Sequence, residues 1–73
     1  MKLFIYSIYD SKLKAHSTPF FMVNQQIAMR AFINAKQDTS TEINKNPQDF
    51  SLWEVGCWED SKGTLKNYVH NIL

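Results

Sequence analysis

Only one stretch of this chain carries the period of an amphipathic helix, and runs of strand-forming residues stand on both sides of it. At 100° per residue, Ile27, Ala28, Ala31, Phe32 and Ala35 fall within one arc of about 140°. The spacing predicts a helix over 25–37 with Asn24 as its N-cap. Before it, residues 2–9 are rich in β-branched and aromatic types, and residues 17–23 form a second run in which Pro19 removes a donor and points to a sheet edge. After it comes a polar loop, 38–50, with a turn at Asn46-Pro47, then strand composition over 51–58 and 64–69. The tight turn between the last two strands ends at Gly63, placed for a left-handed residue. Asp-Ser-Lys occurs at both 10–12 and 60–62, at the ends of the two expected hairpins. The expected fold is therefore α+β, β-β-α-β-β, an antiparallel sheet with one helix packed on one face.

A single helix of this length covers one side of a four-stranded sheet, which leaves the other side to be accounted for. Strict alternation puts Phe4, Tyr6 and Ile8 on one face of the first strand and Leu3, Ile5 and Tyr9 on the other. In the third strand it puts Trp53, Val55 and Cys57 opposite Leu52 and Trp58. Large aromatic side chains are thus expected on a face that needs a second partner: another copy, a target protein or nucleobases. Alternatively, the 38–50 loop and residues Tyr68 to Leu73 fold over it. Met29 and Ile33, four residues apart and outside the main helical stripe, form a second apolar ridge and a candidate self-association surface.

Seventy-three residues make one small domain, 1–73, and 44% hydrophobic with 14% aromatic residues is far too apolar for a disordered segment. A domain this small buries only roughly 60% of its unfolded surface. Cys57, the single cysteine, cannot form an internal disulfide, and its aromatic, β-branched surroundings suit a buried structural thiol. Self-association is the expected source of further stability, a homodimer first. The apolar run Leu3-Phe4-Ile5 is interrupted by Tyr6, Ser7 and Asp10 before it becomes a signal segment, and no run approaches the ~18 apolar residues of a membrane span. The expectation is a protein kept in a reducing cytoplasm with no membrane partner.

The net charge of +1 offers no global field for an anionic partner, but its distribution is uneven. Residues 1–36 carry five cations against Asp10 alone, a balance of +4, whereas 37–73 carry three lysines against six carboxylates, a balance of −3. Local turn chemistry accounts for this, as does a dipolar molecule or one basic surface able to meet phosphate. His16 and His70 have no ligand-spaced companion, and the two glycines, Gly56 and Gly63, make no phosphate loop. Alternation sends the neighbouring carboxylates of Glu54, Glu59 and Asp60 to different faces. No enzyme, no metal and no cofactor are expected. Binding remains: aromatics on a sheet stack unpaired bases while cations hold phosphates. The candidate stackers are Tyr6, Tyr9, Phe20, Phe21, Trp53 and Trp58, with Lys2, Lys12, Lys14 and Arg30 as phosphate contacts.

Several of these residues recur in a family pattern. Tyr6-Ser7-Ile8-Tyr9-Asp10-Ser11-Lys12, Pro19-Phe20, Ala28-x-Arg30-x-Phe32, Asn46-Pro47-x-Asp49-Phe50-x-Leu52-Trp53-x-x-Gly56 and the acidic turn ending at Gly63 follow one another in order over nearly the whole chain. The chain resembles the small non-structural protein of gokushoviruses, Microviridae phages with circular single-stranded DNA genomes. The resemblance implies a phage accessory protein, commonly labelled DNA-binding, that acts in genome replication or in making single strands for packaging. It implies a bacterial host cytoplasm and single-stranded DNA as partner; the alternative readings are a protein-interaction module that docks on a host replication or phage assembly component, or a self-assembling structural protein. The resemblance carries no established set of site residues.

Overall fold

The computed structural model describes residues 1–73. The elements are β1 (Lys2–Asp10), β2 (Ala15–His16), β3 (Phe20–Met22), α1 (Gln25–Gln37), α2 (Glu42–Lys45), β4 (Phe50–Glu59) and β5 (Thr64–Asn71), with a 3-10 turn at Pro47–Asp49. All neighbours in the sheet are antiparallel: β2 and β3 share one side of β1, β4 lies on its other side, and β5 is the far edge. The fold is α+β, with one main helix on a curled antiparallel sheet. Because β3 and β4 flank β1, α1 is the crossover between them and must pass over one face of β1.

Asn24 caps α1 through its side chain, which accepts from the Ile27 amide at 2.9 Å. The helix is rolled from the arc that the hydrophobic spacing defines. Ala28 and Phe32 are buried, Met29 packs against the core, and Ile27 and Ala31 face outward. Met29 and Ile33 therefore do not form an exposed ridge: Met29 turns inward while Ile33 is 43% exposed. Tyr6, Ala28, Phe32 and Leu52 form the centre of the core, ringed by Phe4, Ile8, Phe20, Met22 and Phe50 among others. Only eight residues are buried, so the hydrophobic gain is small even for this length.

In place of one strand over 17–23 the structure has two short pieces, Ala15–His16 and Phe20–Met22, and only the second lies within that range. Pro19 cannot donate to the ladder, and Ser17 bridges the gap by donating its amide to the Ile8 carbonyl at 2.8 Å while its hydroxyl accepts from the Ile8 amide at 3.0 Å. The 38–50 segment is not plain loop either. Thr41 caps α2 by accepting from the Asn44 amide at 3.0 Å and donates to the Ala35 carbonyl at 2.6 Å, and Asn44 donates to the Lys36 carbonyl at 2.7 Å. These bonds fasten α2 to the end of α1 and set Ile43 against the core, on the helix side of the sheet. Ile72 and Leu73 continue the pairing of β5 onto Leu52 rather than folding across the sheet.

The two hairpins repeat one turn design. Four residues separate Asp10 from Ala15 and Glu59 from Thr64, and the last of each four is left-handed: Lys14 at φ 56° and Gly63 at φ 63°. Asp10 Oδ1 accepts from the Lys12 and Leu13 amides at 2.9 and 3.3 Å, and Glu59 Oε1 accepts from the Ser61 hydroxyl at 3.0 Å. A side chain at a left-handed position costs roughly 1–2 kcal/mol, partly offset by the entropy that glycine loses. Lys14→Gly is expected to stabilise the fold by about 0.5–1 kcal/mol, read as a raised urea midpoint.

Candidate nucleic-acid interface

The register of β4 decides which side chains share a face. Ile5 stands opposite Gly56 but Tyr6 stands opposite Glu54, so Val55 is an extra residue in β4. The bulge breaks the alternation read from sequence. Leu52 and Cys57, five apart, both join the helix side with Phe4, Tyr6 and Ile8, while Trp53 and Trp58 both join the open side. Trp53 therefore does not share a face with Cys57, opposite Leu52 and Trp58, and Glu54 and Glu59, which strict alternation separates, both lie on the helix side.

On the open side Trp53 and Trp58 stand with Leu3, Ile5, Ser7 and Tyr9 of β1, with His16 and Phe21, and with Leu65, Asn67, Val69 and Asn71 of β5. No charged residue occupies a strand position on this face. Neither α2 nor the chain end covers it. Tyr9, His16 and Trp53 form an aromatic cluster with centroid separations of 4.8 Å (Tyr9–His16), 5.9 Å (His16–Trp53) and 6.4 Å (Tyr9–Trp53). The two pairs that include Trp53 are edge-to-face. Ser7 Oγ fixes the imidazole through His16 Nδ1 at 2.7 Å, and Trp53 Nε1 donates to Ser51 Oγ at 2.8 Å. Phe21 is 51% exposed on the same face.

The other named residues are placed differently. Tyr6 is fully buried under α1 and belongs to the core, so it is unable to stack a base. Phe20 packs beside it on the helix side. Lys2, opposite Glu59, also points to the helix side, where it lines a cleft of about 90 Å³ with Cys57, Glu59, Lys62, Thr64 and Lys66. Arg30 is exposed on α1 beside Asn24, Gln26 and Ile27, a full layer away from the aromatics. Of the four named cations, the structure brings Lys12 and Lys14 nearest the Tyr9–His16–Trp53 cluster, because their turn joins the strand ends that carry Tyr9 and His16. Nothing in the sequence marks His16 for stacking. Its place opposite Tyr9 follows from the hairpin register, which depends on the four-residue turn.

On the helix side Glu54 accepts from the Tyr68 hydroxyl at 2.6 Å. Burial, and after it the Glu54 carboxylate, raises the pKa of both Tyr6 and Tyr68, so both phenols stay protonated. The Tyr6 hydroxyl is buried without a hydrogen-bond partner. Cys57 is 6% exposed in the strand beside them. His16 and His70 lie on opposite edges and opposite faces of the sheet. No helix is long and apolar enough to cross a membrane.

The sheet is thus covered by α1 on one face, and on the other carries half-buried Tyr9, Trp53 and Trp58 around the buried Ile5 and Ser7 of β1. The chain belongs to the Phage ORF5 protein family, whose model matches residues 3–73. No curated protein and no solved structure gives a significant match to it.

Proposed function

We propose that this phage protein is a non-enzymatic accessory factor of single-stranded DNA genome replication or packaging, of the gokushovirus type, and that it holds single strands weakly on its open sheet face. The observation that carries this reading is the joining of Tyr9, His16, Trp53 and Trp58 on one face that bears no carboxylate. Bases have π-faces to stack on such a surface, each stack worth ~1–3 kcal/mol, and no fixed negative charge beneath them repels the backbone. Lys12 and Lys14 at the adjoining turn meet phosphates, and the few cations available keep the interaction weak and independent of sequence.

Titration of the protein with a single-stranded oligonucleotide at low ionic strength tests this. Stacking should quench tryptophan fluorescence, and Trp53→Ala should weaken binding by about tenfold or more. Replacing Lys12 and Lys14 together by alanine should weaken it without altering the circular dichroism. With two phosphates neutralised, the log–log salt slope should be only about −1.4. An unquenched fluorescence at saturating oligonucleotide, with no co-migration on gel filtration, would reject the reading and assign the face to a host replication or phage assembly protein.

A further inference from the structure

The two edges of the sheet are unlike. One is interrupted between His16 and Phe20, with Pro19 in the gap, and so offers no continuous ladder. The other is β5, which runs from Thr64 to Asn71 with no proline and with every residue but Tyr68 exposed. The Lys66 carbonyl points inward at Gly56, so the amides and carbonyls of its neighbours Leu65 and Asn67 point outward, unpaired. Leu65 and Val69, 56% and 61% exposed, stand two residues to either side of Asn67 on the open face.

This strand is complementary to itself. When two antiparallel copies are centred on Asn67, Leu65 of each faces Val69 of the other, Thr64 faces His70, and Lys66 faces Tyr68. Centring on Tyr68 instead sets Leu65 against Asn71 and Val69 against Asn67, apolar against amide. Charge agrees with the first register. Glu54, opposite His70 in β5, has no salt bridge within its own chain and accepts from the Tyr68 hydroxyl, and in this register Lys66 of a second copy stands opposite Tyr68 on the same face. We propose that two copies of this chain join through their β5 edges, antiparallel about Asn67, into one sheet that continues across a two-fold axis. The pairing does not depend on nucleic-acid binding: it runs along the outer edge of β5, with Leu65 and Val69 meeting at the rim of the open face, and does not involve α1.

Sedimentation equilibrium of the whole protein from micromolar to millimolar concentration tests it. A concentration-dependent dimer is expected. Asn67→Pro removes an outward amide hydrogen while sparing the ladder to β4, and should weaken the dimer at least about tenfold with unchanged circular dichroism. Val69→Lys, at an exposed position, should do the same. Lys66→Glu should weaken it, and the exchange Glu54→Lys with Lys66→Glu should restore it. A monomer throughout the range, or a dimer as tight in Val69→Lys as in the unaltered chain, would overturn the proposal.

Discussion

Replacing Gly56 by alanine is expected to destabilise the protein by about 3 kcal/mol, among the larger effects any single methyl group can have here. A Cβ at this position would lie deep inside contact distance of the Lys66 backbone carbonyl oxygen, with Ile5 Cδ1 3.6 Å away on another side. The obstacle is the main chain of β5, which cannot rotate aside as a long side chain would. Relief requires β4 and β5 to part next to the bulge that sets Trp53 and Trp58 on one face. Domains hold roughly 0.05–0.15 kcal/mol per residue, so a loss of this size removes a large share of the total. Thermal unfolding should show a midpoint lowered by more than about 10 °C. A midpoint within about 2 °C of the unaltered protein would show that the two strands are not so close at Gly56. Alanine at Gly63, by contrast, meets nothing within 4 Å, and its cost is that of a left-handed backbone at φ 63° alone.

Phe32→Ala is expected to cost about 3–5 kcal/mol, enough to leave the chain largely unfolded at 37 °C. The ring is 2% exposed and fills the space between α1 and the fully buried Tyr6 and Leu52. Lys36 Nζ sits 4.9 Å from the ring centroid and closes one side of it. With so few buried residues, the neighbours have little material with which to collapse into the cavity. Ile33→Ala, one residue along the helix and 43% exposed, should cost less than about 1 kcal/mol. Urea titrations of the two variants report directly on the roll of α1. Equal losses would mean that Ile33 is as buried as Phe32.

The sequence by itself determined the long elements and their order, because those depend on neighbours along the chain, whereas the break at Pro19 into two short strands and the α2 turn within 38–50 belong to the tertiary structure. The 3.6-residue period ending at Gln37, the Asn24 cap, the β-branched runs and the glycine at the left-handed position of the second turn are each local signals, and each appears in the structure. They also dictated that one helix leaves one sheet face uncovered. Helical roll was less legible, since Ala28 and Phe32 mark a core stripe whether Met29 or Ala31 flanks it. Membership of the open face was decided only in three dimensions. A strand's faces alternate until one extra residue reverses them, and the extra residue at Val55 is visible only when β1 is laid beside β4. That bulge unites Trp53 with Trp58, sends Cys57 to the helix side, and leaves Gly56 where only a glycine fits. Lys2 and Arg30 were separated from the aromatics for a related reason. Each is basic in sequence, but the crossover of α1 over β1 puts both in the layer on the far side of the sheet.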